Sequence, residues 1–285
     1  MIPRPSILLW EDQEAPWLEN WQIEHDLMMS RVLVEIFSHK LLSESLLFRG
    51  GTALGKLHFS KPHRFSEDLD LVQIEPGPIK QSIQKPLLHE VMDELPLELK
   101  KYGPSDLGYS YFFDFDVRDP AVDKSRLKIE INTREHFTIL NPLYIPYQVS
   151  TDWFEGTAKI RTHPAAEMMA HKLLALYDRK KGRDLFDLWY GYKMDLAKPQ
   201  QVLSCYEEYV EEAREAGDIS RAQFEENLSG KIRDAEFRED TKPLLREGIE
   251  YEIDKAVRIV HEQFVSLLDG DPYQGEGNVF REDEN

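Results

Sequence analysis

Residues Arg49 to Leu71 read RGGTALGKLHFSKPHRFSEDLDL. An apolar run, Leu46-Leu47-Phe48, leads into the double glycine Gly50-Gly51, and a short helical stretch, Thr52–Phe59, follows. Asp68 and Asp70 then bracket Leu69 at the start of a second apolar run that ends at Ile74. Side chains of a strand alternate between its faces, so two carboxylates one residue apart project to the same side. Like charges that close raise one another's pKa, and the pair calls for a cation or a proton. Glycines between a strand and a helix let backbone approach a ligand, and amides at a helix start favour an anion such as phosphate. Alone, Gly-Gly is a tight turn and Asp-Leu-Asp a solvated strand edge, and Asp114 and Asp116 repeat the spacing. Only the upstream Gly-Gly-Thr singles out the first pair.

Working outward, Glu24–Leu42 has apolar residues at helical spacing and neither glycine nor proline, which predicts a helix. Ile79–Lys101 is expected to be helical, with Pro86 and Pro96 as candidate interruptions. Tyr109–Arg118 and Ser125–Thr133 are expected to pair as strands, with Tyr144–Val149 and Lys159–Arg161 adding edges. In the second of these, Leu127, Ile129 and Ile131 alternate with Lys128, Glu130 and Asn132, which puts Glu130 on the polar face. If that face is the one bearing Asp68 and Asp70, three carboxylates converge. Oxygen-rich clusters of this kind suit Mg²⁺.

After Pro164 the pattern is helical: Ala165–Lys180, Arg183–Tyr192, Gln200–Ala216, Arg221–Phe237 and Pro243–Leu268. The last carries one apolar stripe from Leu245 to Leu267. The expected organisation is an α+β core over residues 1–155, a helical domain over 156–268, and an acidic tail, 269–285, without fixed structure.

The net charge of −18 argues against a nucleic-acid partner at first reading. It is unevenly spread: residues 201–285 hold 23 acidic and 10 basic side chains, whereas 156–200 hold nine basic and five acidic, a net of +4. Phosphate contact is therefore expected, if anywhere, in that basic zone. The single cysteine, Cys205, excludes an internal disulfide and a multi-cysteine zinc site. No apolar run approaches the ~18–20 residues of a membrane span, and the first residues do not form a secretory signal. A cytoplasmic protein without a membrane partner is expected.

GGTAL followed by RFSEDLD closely resembles the AbiEii/AbiGii-type nucleotidyltransferase toxins of the DNA polymerase β-like superfamily. KLLALYDRKKGRDLFDL, residues 172–188, is similar to the second signature of that family, a helical lysine followed by Arg-Asp-x-x-Asp. The resemblance implies a polymerase β-like mixed-sheet core with a C-terminal helical bundle. It implies transfer of a nucleoside monophosphate from an NTP, with pyrophosphate released, by a toxin with a cognate antitoxin. The acceptor it suggests is tRNA; a small-molecule or protein acceptor, or a silent nucleotide-binding module, are the alternatives. By matching position, Asp68, Asp70 and Glu130 would hold two Mg²⁺ ions, and Gly50, Gly51, Thr52, Arg64 and Ser66 would contact the nucleotide phosphates. Lys172 and Arg179 would neutralise phosphate, and Asp184 or Asp187 would be the second-motif acid. Read without the family, Lys172 and Arg179 are a solvated basic stripe, and Arg183 with Asp184 is a salt-bridged helix start.

Overall fold

Leu69, Leu71, Ile129, Ile131, Tyr111 and Phe113 are at most 1% exposed, and they share one face of a sheet. Burial of that apolar set pins the strand register, because a slip of one residue would turn every side chain to the other face. In the computed structural model, which describes residues 1–213 and 219–280, the chain divides into two compact units. The first is Met1–Pro164 with Leu245–Glu247, and the second is Ala165–Leu244 with Gly248–Asn285.

The first unit carries a mixed sheet of β1 (Leu46–Arg49), β2 (Asp68–Gln73), β3 (Glu98–Ser105), β4 (Gly108–Asp116), β5 (Lys124–Asn132), β6 (Leu143–Ser150) and β7 (Glu155–Thr162). Their spatial order is β3-β4-β5-β2-β1-β7-β6. β2 runs parallel to β5 and β1 parallel to β7, while the other neighbours are antiparallel. Three helices precede β1: α1 (Arg4–Gln13), α2 (Asn20–Ser38) and α3 (Lys40–Ser45). α2 starts in a capping box between Glu19 and Gln22 and packs on β5, β6 and β7. The short α4 (Gly50–Ala53) follows β1 directly and runs into a π-type turn, Leu54–His58.

The second unit is helical: α5 (Ala165–Asp178), α6 (Gly182–Lys193), α7 (Pro199–Ala213), α8 (Arg221–Ile232), α9 (Ala235–Glu239) and α10 (Ile253–Gln263). α5 packs on α6, α7 and α8, around fully buried Leu173, Leu176, Phe186, Phe224 and Val260. Among the described residues no helix is long and apolar enough to cross a membrane.

The α+β class read from the sequence is the one observed, but several elements differ. The helix expected over Arg221–Phe237 is divided into α8 and α9, the second capped by Asp234. The segment expected to be helical through Lys101 ends at Glu94, and Glu98–Ser105 is strand β3. That strand lies at the sheet edge and is largely exposed, so it carries no apolar alternation. Lys100, Lys101 and Pro104 are residues that guard an open edge and are tolerated there. Lys159–Arg161 belongs to β7, which lies between β1 and β6 and is not an edge. The final helix begins at Ile253 instead of Pro243, because Gly248 turns the chain at φ +81°. Leu245 accordingly leaves the helical stripe and bridges to Arg64 in the first unit.

The acidic stretch after Asp269 makes contacts as far as residue 280. Tyr273 N donates to Glu225 Oε2 at 2.8 Å, and Phe280 stacks on His261 with centroids 4.0 Å apart. The remainder of the expected tail, residues 281–285, lies outside the described residues.

Candidate active site

The parallel register of β2 and β5 pairs Asp68 with Lys128 and Asp70 with Glu130. Neighbouring strands lie roughly 4.7–4.9 Å apart, and residues in register project to the same side of the sheet. Asp68, Asp70 and Glu130 therefore share the face opposite the Leu69–Leu71–Ile129–Ile131 core. Lys128 stands among them, its Nζ 2.5 Å from Glu130 Oε2. Burial alone would depress its pKa; the Glu130 hydrogen bond and the charges of Asp68, Glu130 and Asp70 outweigh that and hold it above the ordinary lysine value. The ammonium offsets part of the carboxylate repulsion.

Gly50 has φ +82°, and a Cβ built on it would lie 2.2 Å from Asp70 Oδ2. Its need for glycine thus has two physical causes, a left-handed backbone and the close approach of a carboxylate. Thr52 is buried, with Oγ1 donating to the Asp68 carbonyl at 2.6 Å and lying 2.8 Å from Ser66 Oγ. Its hydroxyl ties the glycine turn to the start of β2. Gly51, Thr52, Arg64 and Ser66 line one small cleft, together with Lys56 and Asp26. Arg64 is buried there and donates from Nη1 to Phe65 O at 3.1 Å.

The wall of that cleft includes a buried ion pair. Lys56 Nζ is 2.8 Å from Asp26 Oδ1 and donates to Ser30 Oγ at 2.9 Å. Trp10 Nε1 donates to the same Asp26 oxygen at 2.9 Å, and Tyr147 donates to Ser30 at 3.0 Å. Burial would drive the Lys56 pKa down, but Asp26 and then Tyr147 overcome it and leave it raised. The pair joins α2 to the π-type turn behind Gly50-Gly51.

His25, also on α2, holds the other end of the motif. Its Nε2 lies 3.0 Å from the Glu67 carbonyl, which only accepts, so Nε2 carries the proton and Nδ1 accepts from Ser125 Oγ at 2.7 Å. Burial, opposed by the Glu67 carbonyl and Asp26, lowers its pKa to about 4 from an ordinary 6.5. The unfolded chain therefore takes up this proton first. Stability is whole above about pH 6.5 and is lost as pH falls toward 4. Denaturant titrations are expected to show about 2 kcal/mol less stability at pH 5 than at pH 7 from this group, a difference that His25→Gln removes.

The second signature forms one network within the helical unit. Lys172 Nζ lies 3.0 Å from Asp184 Oδ1 and 2.8 Å from Asp187 Oδ2. Arg179 grips Asp184 with Nε at 2.7 Å and Nη2 at 2.8 Å. Asp184 and Asp187 are 0% exposed, whereas the Arg179 side chain is 54% exposed. Burial would raise the Asp184 pKa, but Lys172 and Arg179 prevail and hold it below the usual carboxylate range. Both carboxylates are sealed by cations of their own unit, and the guanidinium of Arg179 is the half-exposed member.

Residues 31–259 match the family described as Nucleotidyl transferase AbiEii toxin, Type IV TA system. The chain belongs to this family. Its fold is similar to that of MenT4, a nucleotidyltransferase toxin from Mycobacterium tuberculosis H37Rv, with a TM-score of 0.57 and 17% identity over 93% of this chain and 91% of that one. At that identity the likeness is one of fold. An antigenic nucleotidyltransferase-like protein from Paracoccidioides brasiliensis aligns with 65% of this chain and 88% of its own, at 18% identity and a TM-score of 0.37, too low to support further comparison. No curated protein matches the chain.

In this AbiEii chain three cations escaped the sequence reading. Lys56 lies inside the quoted GGTALGK, and its spacing from Gly51 was a usable signal. Lys128 flanks Glu130 on the same strand face, which the alternation of two already implied. Arg49, whose Nη1 lies 2.5 Å from Glu135 Oε2, pairs with Asp70 only through the β1–β2 register, and nothing local announces it.

Proposed function

We propose that this toxin transfers a nucleoside monophosphate from an NTP to an acceptor, tRNA above all, with Mg²⁺ held by Asp68, Asp70 and Glu130. The observation that carries the reading is the strand register that gives these three carboxylates one face beside the glycine turn. Hard oxygen donors of this number suit Mg²⁺, which keeps few protein ligands and takes the rest from substrate phosphates. A bound ion there supplies neutralisation of phosphate charge at the reacting oxygens.

The chain's own part is positioning. The Gly50-Gly51 backbone, Arg64 and Ser66 receive the triphosphate, while Thr52 holds the turn against β2. Lys172, Arg179, Asp184 and Asp187 serve the transfer as the family resemblance implies. Aligning the acceptor hydroxyl and the phosphate against prearranged charges lowers the barrier without any covalent enzyme intermediate. The protein acts in the cytoplasm and is restrained by an antitoxin, as its type IV toxin–antitoxin family implies.

The test incubates the protein with each α-labelled NTP, Mg²⁺ and total RNA, beside an Asp68→Ala control. A labelled tRNA band made only by the parent protein is expected. Label on a protein or small molecule instead would overturn the acceptor, and no transfer to anything would overturn the reaction.

Lys128 competes with the cation for Glu130. Lys128→Met is expected to tighten Mn²⁺ binding about tenfold, since it removes one positive charge beside the ligands. Calorimetric titration reads this directly; unchanged or weaker binding would mean that the ammonium organises the site instead of opposing the ion.

A further inference from the structure

On the carboxylate-bearing side of the sheet lies a second cavity, of about 230 Å³. Its floor is Leu47, Val72 and Ile74, and its walls include Phe137, His136 and Arg161. Leu47 and Val72 are cross-strand partners, and Val72 is two residues beyond Asp70 on β2. At ~3.3 Å per residue the cavity therefore begins about 7 Å from Asp70, on the same face.

Three features define what fits. The floor is apolar and the wall aromatic, a surface on which a base stacks. Arg161 Nε and Asn132 Nδ2 are buried donors without a hydrogen-bond partner, Arg161 lining the cavity and Asn132 paired with Val72 across the sheet. Lining the cavity or bordering it, such donors suit an oxygen-rich ligand. His136 donates from Nδ1 to the Gln73 carbonyl at 2.8 Å, which leaves Nε2 as the ring's second polar atom. The volume lies below the roughly 300–1,000 Å³ of a site that encloses a drug-sized ligand, enough for a base and its sugar but not for a whole NTP.

We propose that this cavity binds one nucleotide residue, its base on the Leu47–Val72–Ile74 floor beside Phe137 and a ribose or phosphate oxygen at Arg161. The inference rests on the reading of Asp68, Asp70 and Glu130 as the transfer centre, toward which the rest of the substrate extends. The nucleotide has two possible sources, the nucleoside of the incoming NTP and the terminal residue of an RNA acceptor.

The test uses the full chain with 5′-AMP, CMP, GMP and UMP as probes, followed by ligand-observed NMR. Arg161→Ala removes the donor, and Thr138→Trp places a bulky ring at an exposed position of the cavity rim, where folding is not at stake. At least one monophosphate is expected to bind the parent, at least tenfold more weakly after Arg161→Ala, and not at all after Thr138→Trp. No binding to the parent, or equal binding to all three proteins, overturns the proposal. In the transfer assay the same substitutions raise KM for the NTP if its nucleoside is the occupant, and KM for RNA if the acceptor is. Monophosphate binding that depends on Arg161 in a protein without transfer activity sinks the proposed function and leaves the cavity assignment standing. Transfer activity with indifferent monophosphate binding does the reverse.

Discussion

A Gly50→Ala protein is expected to lose nucleotide transfer by at least about 100-fold while remaining folded. Two penalties act at one atom. An L-residue at φ +82° pays roughly 1–2 kcal/mol for the left-handed conformation. The added methyl would also stand 2.2 Å from Asp70 Oδ2, a distance that no adjustment of the methyl itself can relieve. Asp70 must swing away or the turn must open, and either moves a proposed metal ligand by about 1 Å. Misplacement on that scale costs on the order of 10²-fold in rate. Steady-state transfer rates, with circular dichroism as the folding check, decide the point. A Gly50→Ala protein with parental activity would show that the Asp70 carboxylate does not need its present position. Asp70→Asn is the companion control, since it removes the charge and leaves the turn alone.

The second large effect falls on stability. Asp26→Ala is expected to cost about 3–5 kcal/mol, because it removes the carboxylate hydrogen-bonded to the buried Lys56 ammonium and leaves Ser30 Oγ as a direct polar contact, with the Glu14 charge acting only from farther off. Both side chains are at most 4% exposed, so solvent cannot replace the lost partner. Asp26→Leu combined with Lys56→Met is expected to recover most of the loss, since a well-packed apolar pair often matches a buried ion pair. Denaturant titration gives the magnitude, and hydrogen exchange locates it. Protection should fall in α2 and in the turn after Gly50-Gly51, which the pair joins. A cost below 1 kcal/mol for the single substitution would mean that this pair is not what holds the glycine turn against α2.

Much of this molecule is written in local pattern. The alternation of Leu127, Ile129 and Ile131 with Lys128, Glu130 and Asn132 put Glu130 on the polar side of its strand, and the register agrees. Gly-Gly between a strand and a helix, and a second carboxylate two residues after the first, were equally readable. What failed was an element without pattern and one whose pattern outran its helix. β3 has an exposed, charged edge sequence that strand periodicity does not mark. The apolar stripe from Leu245 onward continued on paper through Gly248, whose left-handed backbone breaks the helix in space.

By itself, then, the sequence determined the α+β class, the strands that carry the carboxylates and the membership of a nucleotidyltransferase family, because each rests on short-range periodicity or contiguous motif. Only tertiary structure decided which distant side chains answer one another. The parallel pairing that brings Glu130 beside Asp70, the contact that forbids a side chain at Gly50, and the burial of Lys56 on Asp26 join residues 20 to 60 positions apart. Such pairings depend on strand order and helix packing, which no local spacing encodes.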